Sequence, residues 1–188
     1  PWTLPSNVAL CVSPKDTYVE IEVESGVRYI LAEALVPSVI KEEYKTVRSF
    51  VGNDLYGTEY EPLFDFAKPA KKAYYVVADG YVTLTDGTGV VHIAPAFGED
   101  DARVGRDNDL PFLQLVDEAG NFTKETGEWA GTFVKDADKL VLKDLEERKL
   151  LFAALPYEHS YPFCWRCDTP LLYYAIDTWF IKMSALRD

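Results

Sequence analysis

An imidazole and a run of carboxylates lie close together in the segment 86–101. We predict that a strand ends at His92, that the following Ala-Pro pair interrupts it, and that the acidic residues Glu99 to Asp101 lie in the first turn of a helix. A carboxylate at such a corner can bind a substrate ammonium, orient a water molecule or act as a general base. The alternative is structural, because acidic residues commonly cap helices and a single histidine at a strand end commonly belongs to a core.

A second group of reactive side chains is the pair Cys164 and Cys167. Two thiolates at this spacing provide half of a tetrahedral zinc site. Neither Cys11 nor His159 has a spacing that completes the site, so a stand-alone zinc ribbon fails on ligand count. A redox pair is the competing interpretation, but it requires a thioredoxin-like βαβ context that the sequence does not predict. We expect Cys11 to be a small buried side chain and His159 to be structural.

The elements that must position these groups are mostly strands. Residues 17–23 alternate apolar and polar side chains, which is typical of a half-buried strand. The other segments with strand composition are 27–31, 44–51, 73–78, 81–84, 90–93, 110–116 and 171–176. Helix signals are fewer, and they cover 36–43, 98–107 and 135–149.

Many short strands with a few helices predict a mainly β fold with peripheral helices (α+β), closed or strongly bent into a β-barrel. We expect this barrel domain to span residues 1–155. The segment 156–188 is rich in aromatic residues and contains the cysteine pair, and we interpret it as a connection toward a further domain. Its aromatic residues Tyr173, Tyr174, Trp179 and Phe180 are expected either in a core or against that further domain.

Composition limits the classes of function. The net charge of −12 does not attract a phosphate backbone by general electrostatics, so contact with a nucleic acid requires a local site or a larger protein. No apolar run reaches the ~18 residues of a membrane span. No secretory signal is visible, and the cysteines do not suggest a disulfide framework, which favours a reduced, cytoplasmic setting. Both ends of the chain have the composition of an interior segment, so we expect an excised part of a longer protein.

Four blocks of sequence resemble a known family. GTGVVHIAPAFGEDD at 87–101 resembles the signature of the editing domain shared by isoleucyl-, valyl- and leucyl-tRNA synthetases. PWTLPSN at 1–7 and DLYGTEYEPLF at 54–64 resemble two further stretches of that domain. YPFCWRCDTPLLYYA at 161–175, followed by TWFIK at 178–182, resembles the isoleucyl enzyme in particular. The resemblance extends over nearly the whole chain and identifies it as the editing insertion of an isoleucyl-tRNA synthetase.

The resemblance implies a hydrolase that removes valine misattached to tRNA(Ile), and in some cases valyl-adenylate, while it excludes the isoleucyl ester sterically. Such a second site is needed because one missing methylene is worth only ~1–3 kcal/mol of discrimination. By the same resemblance, Asp101 binds the α-ammonium of the amino acid and His92 lines the side-chain pocket. Thr3 lies near the substrate, and Trp2 helps to shape the pocket.

The resemblance also implies the partners and cofactors. The partners are the tRNA(Ile) 3′ end and the catalytic domain of a larger, monomeric synthetase, without a membrane. Editing needs no cofactor, and ATP is used only by the synthetic domain. Zinc on Cys164 and Cys167 is completed by a further cysteine pair of the parent enzyme, so we expect absent or partial metal in this chain. The family's additional threonines just before Pro1 are missing here, and a non-catalytic module that binds the tRNA 3′ end or bridges two domains is the alternative function.

Overall fold

The computed structural model describes residues 1–156, 161–179 and 181–185. The regular elements are short and are separated by long irregular segments. The strands are β1 (Ala9–Val12), β2 (Thr17–Val23), β3 (Arg28–Ala32), β4 (Tyr44–Val51), β5 (Tyr75–Ala78) and β6 (Val90–Ile93). The helices are α1 (Val36–Val39), α2 (Glu99–Asp107) and α3 (Val134–Glu147), and short 3₁₀ turns include Leu4–Ser6 and Gly52–Leu55.

The strands form two small open sheets. In the first sheet the order is β5-β1-β6, with β1 parallel to β5 and antiparallel to β6. In the second sheet the order is β3-β2-β4, and both pairs are antiparallel. The fold is therefore α+β with two open sheets, and the predicted closed or strongly bent barrel is wrong.

The barrel does not form because three predicted strands are irregular. Residues 81–84, 110–116 and 171–176 belong to none of the described strands, so they cannot extend either sheet. Pro111 has no N–H group for a ladder. In the C-terminal segment, the Ala175 N–H donates instead to the Ala96 carbonyl at 2.9 Å. The predictions for β2, β4 and β6 are confirmed to the residue, and those for β3, β5, α1, α2 and α3 are confirmed with shifted ends.

The glycine-rich turn before β6 joins the two sheets. The Ala32 N–H of β3 donates to the Thr88 carbonyl at 2.9 Å. The buried hydroxyl of Tyr18, from β2, donates to the Gly89 carbonyl at 2.5 Å. Gly89 has a φ of +73°, and a Cβ atom there would lie 2.6 Å from the Cβ of Ala32. Only glycine fits this close approach, so the turn fixes where β6 begins.

The apolar side chains of the two sheets and of α2 and α3 form the core. One cluster packs β1, β5 and β6 against α2 through buried residues that include Cys11, Val77, Ile93 and Val104. The predicted burial of Cys11 is thereby confirmed. None of the described helices is long and apolar enough to cross a membrane.

Candidate functional site

Pairing of β1 with β6 brings the start of the chain to His92. Leu10 lies opposite His92 in the antiparallel register, and the Val8 N–H donates to the Ile93 carbonyl at 2.9 Å. The 3₁₀ turn Leu4–Ser6 then directs the chain back across the end of β6. As a result, the Thr3 hydroxyl lies 2.9 Å from Nε2 of His92, a hydrogen bond between residues far apart in sequence.

The imidazole of His92 is partly buried between these segments. Burial is the main cause that lowers its pKa from 6.5 to about 4. His92 is therefore neutral at pH 7. A neutral imidazole presents one donor and one acceptor nitrogen, and its Nε2 is engaged by Thr3.

Asp101 lies in the first turn of α2, and its side chain folds back over the preceding loop. One carboxylate oxygen accepts a hydrogen bond from the Ala94 N–H at 2.9 Å. The side chain covers Gly98, where a Cβ atom would lie 3.0 Å from Cγ of Asp101. Burial raises the pKa of Asp101 and the charge of Asp100 raises it too, whereas the Ala94 hydrogen bond acts in the opposite direction. A partly buried carboxylate of this kind is suited to a cationic partner.

Trp2 is a buried side chain that packs on the same loop. Its ring contacts Phe97 edge-to-face, with 4.9 Å between ring centroids. Its backbone N–H donates to Asp138 of α3 at 2.9 Å. Beside this contact opens a cleft of ≈ 300 Å³, lined by Pro1, Trp2, Phe97, Lys135, Asp138, Tyr161 and Tyr173.

The structure thus gathers the four predicted site residues around one corner. Thr3 bonds directly to His92, and Asp101 bonds to the backbone two residues beyond His92. Trp2 packs against the loop between them. Within the described residues, no hydrogen bond joins the Asp101 carboxylate to His92, so this corner contains no Asp-His relay.

Sequence reasoning missed a second ionic group behind this corner. Arg103 of α2 makes a two-point ion pair with Asp79, with N–O distances of 2.8 and 3.0 Å. The guanidinium also lies over the ring of Tyr81, 5.8 Å from its centroid. Arg103 follows Asp101 on the same helix, but nothing in the sequence indicates that Asp79 or Tyr81 reaches it. The Arg103 pairing holds the pKa of Asp79 below its usual value.

The cysteine pair lies in a tight turn. The Cys164 N–H donates to the Thr169 carbonyl, and the Asp168 N–H donates to the Cys164 carbonyl, both at 2.8 Å. The Thr169 hydroxyl lies 3.0 Å from Sγ of Cys167 and lowers the pKa of that thiol. In the described part of the chain, no group of three or more His, Cys, Asp or Glu side chains could hold a metal ion. His159 and Phe180 lie outside the described residues.

Comparison with known proteins gives close relatives over the whole chain. The chain is 54% identical over 188 residues to an isoleucine–tRNA ligase of Clostridium novyi, and 53% identical over 188 residues to that of Clostridium acetobutylicum. It is 44% identical over 199 aligned residues to that of Tetrahymena thermophila. Each alignment covers 100% of this chain but only 18% of the relative, so the chain spans about one fifth of the length of these ligases. No protein-family model matches the sequence.

Solved structures share the fold at low sequence identity. GlLeuRS-CP1 has a TM-score of 0.63 at 16% identity, over 85% of this chain and 82% of that one. An editing domain of the P. falciparum cytosolic leucyl-tRNA synthetase has a TM-score of 0.61 at 10% identity, over 79% and 74%. The P. knowlesi domain has a TM-score of 0.58 at 13% identity, over 93% and 81%. Over its whole length, the chain therefore matches a segment of isoleucine–tRNA ligases, and it has the fold of the leucyl-tRNA synthetase editing domains.

Proposed function

We propose that this chain hydrolyses valine misattached to tRNA(Ile) and spares the isoleucyl ester. The observation that carries the proposal is the corner at which a partly buried carboxylate, Asp101, faces the loop that begins at a neutral His92. The ligase relatives place the same segment in enzymes that handle isoleucine and tRNA. Removal of valyl-adenylate by the same site is part of the proposal.

Asp101 is the group proposed to bind the α-ammonium of the aminoacyl ester. Burial disfavours its ionised form, so the free carboxylate gains more from a cationic partner than a solvated carboxylate would. The Ala94 N–H fixes one of its oxygens, and the other is the proposed acceptor for the ammonium. The ester is already reactive, so orientation by this charge pair contributes directly to the rate.

We propose that the pocket wall formed by His92, Thr3 and Trp2 limits the size of the amino-acid side chain that can bind. The Thr3–His92 hydrogen bond fixes the imidazole, and packing on Phe97 fixes the indole of Trp2. A wall held by such contacts does not yield readily to an extra methylene, because rigid cores resist overpacking by ~1–3 kcal/mol. The same neutral imidazole adds no positive charge that would repel the substrate ammonium.

The proposed nucleophile is a water molecule rather than a side chain. Thr3 and His92 have the separation of a nucleophile and its base, at 2.9 Å. However, an imidazole with a pKa of about 4 is a weak base at pH 7, so it activates a hydroxyl poorly. Water positioned beside the ester and the bound ammonium needs no covalent intermediate.

The rest of a longer synthetase is proposed to supply the tRNA affinity and the other half of the cysteine site. The net charge of −12 opposes independent binding to a phosphate backbone. Cys164 and Cys167 would hold zinc together with two ligands from outside this chain, where the metal would fold a loop rather than take part in hydrolysis. The proposed setting is the cytoplasm, with ATP used by the synthetic domain alone.

The test compares hydrolysis of valyl-tRNA(Ile) and isoleucyl-tRNA(Ile) by this chain, by Asp101→Ala and by Glu99→Ala. Glu99→Ala is the matched control because it removes an exposed carboxylate from the same helical turn. We expect hydrolysis of the valyl ester only, lost in Asp101→Ala and kept in Glu99→Ala. If neither this chain nor a version extended upstream of Pro1 hydrolyses the ester, the non-catalytic module replaces the hydrolase.

A further inference from the structure

Gln114 and Val116, in a segment that the sequence predicted as a strand, bind the C-terminal part of the chain. The side-chain amide of Gln114 donates a hydrogen bond to the Ala175 carbonyl at 3.0 Å. The Val116 carbonyl accepts a hydrogen bond from the Tyr174 hydroxyl at 3.1 Å. These two bonds join residues that are 61 and 58 positions apart in the sequence. They tie the segment 172–175, which we call the strap, to the core of the chain.

The strap lies against the loop 94–98, which joins β6 to α2 and belongs to neither element. The Ala175 N–H donates to the Ala96 carbonyl at 2.9 Å, so the N–H and the carbonyl of Ala175 are both bonded. The Tyr174 ring also packs on this loop, with 6.2 Å between its centroid and that of the Phe97 ring. Because the loop is outside the strand ladders, contacts such as these satisfy its backbone groups and determine its conformation.

The loop carries the contacts that orient the candidate site. The Ala94 N–H donates to the Asp101 carboxylate at 2.9 Å. The Phe97 N–H donates to the Ala94 carbonyl at 2.9 Å, and the Trp2 ring packs edge-to-face on Phe97. Movement of the strap would therefore be passed to both the carboxylate and the indole.

Leu115, the residue after Gln114, supports the other side of the site. Its N–H donates to the hydroxyl of the buried Ser6 at 3.3 Å. The Ser6 N–H donates in turn to the Thr3 carbonyl at 3.0 Å, which closes the turn behind Thr3. One short segment thus contacts the supports of both Thr3 and Asp101.

We propose that Gln114 is a positioning residue for the candidate site. Its amide holds the strap against the loop 94–98, and the loop holds the Asp101 carboxylate through the Ala94 N–H. The coupling itself follows from these contacts, whereas its consequence for hydrolysis rests on the proposed function. Hydrolysis depends steeply on such support, because reacting groups must lie within a fraction of an ångström of their productive positions.

The test uses Gln114→Met, which keeps an unbranched side chain and removes the amide that donates to Ala175. Hydrogen exchange is measured by NMR for the Ala94 and Ala175 amides, and for the Val8 amide, which bonds to the Ile93 carbonyl beside the β1–β6 pair. We expect Ala94 and Ala175 to exchange on the order of tenfold faster relative to Val8, the size that loss of one ordinary hydrogen bond predicts. A purely global loss of stability would change all three amides alike. Hydrolysis of valyl-tRNA(Ile) should fall by a similar factor in kcat/KM.

Tyr174→Phe releases the second tether of the strap and should have the same effect, so the proposal stays testable if Gln114→Met fails to fold. Tyr75→Phe is the matched control, because it also removes a partly buried donor to a backbone carbonyl, but beyond the C-terminal end of α2. It should change neither the exchange of Ala94 relative to Val8 nor the rate of hydrolysis. Exchange of Ala94 that is unchanged relative to Val8 in the folded strap variants overturns the proposal, whether or not the chain hydrolyses the ester. Faster relative exchange of Ala94 in a chain that hydrolyses nothing supports the coupling and rejects the proposed function instead.

Discussion

Acidification from pH 7.5 to 5 should destabilise this chain through His92. The folded chain holds this imidazole with a pKa of about 4, whereas the unfolded chain releases it to its ordinary value of 6.5. A depressed histidine pKa means that the unfolded state binds a proton more readily than the folded state. Stability from the neutral imidazole is therefore intact above pH 6.5 and is lost as the pH falls toward 4.

The size of the effect follows from those two values. The full difference between 6.5 and about 4 is worth about 3 kcal/mol, at ~1.36 kcal/mol for each pH unit. At pH 5 the unfolded state is almost fully protonated at this position, and about 2 kcal/mol of the free energy of unfolding is already lost. Asp101 acts in the opposite direction, because its raised pKa favours the folded state at low pH.

Urea unfolding at pH 7.5 and 5 should be measured for the unchanged chain and for His92→Gln, whose amide can still bond to Thr3. The difference between the two proteins isolates His92, since Asp101 is present in both. The chain has two histidines, so His159→Gln assigns the NMR signal of His92 and gives its pKa directly. A His92 signal that titrates near 6.5, together with the same pH dependence of unfolding in His92→Gln, would refute the reasoning.

Further variants test the corner and the turn that supports it. Asp101→Asn should raise the melting temperature at pH 7, because the amide keeps the backbone hydrogen bond without a buried charge, and this stability difference should fade below the ordinary pKa of 3.8. The same variant should abolish hydrolysis, and an unchanged hydrolysis rate would contradict the role of Asp101. Gly98→Ala should slow hydrolysis on the order of tenfold, because the added Cβ displaces the Asp101 side chain. Gly80→Ala is the control, since a Cβ there has no atom within 4 Å, and equal hydrolysis rates in the two variants would argue against the displacement. Gly89→Ala should lower the free energy of unfolding by about 2 kcal/mol, because the added Cβ would collide with the side chain of Ala32. A stability equal to that of the unchanged chain would show that this contact relaxes.

Local sequence patterns were enough to locate the long strands and the helices. The alternation in 17–23 and the charge pattern of 98–107 predicted β2 and α2, because side-chain periodicity directly reflects which face is buried. The central strand β1 was not predicted, although Val8 to Val12 is an almost wholly apolar run. A short buried strand has no alternation, so its sequence cannot be distinguished from other core segments.

The residue types of the site were also visible in the sequence, and its geometry was not. Motifs indicated Thr3, His92 and Asp101, but they did not show that Thr3 bonds to His92 or that the Ala94 N–H holds Asp101. The barrel prediction failed for a related reason, since whether strands close a sheet depends on pairing between distant segments. The sequence alone determined which groups are available for chemistry. Their partners, burial and pKa values were decided only by the tertiary structure, because those properties arise from side chains and backbone groups that are far apart along the chain.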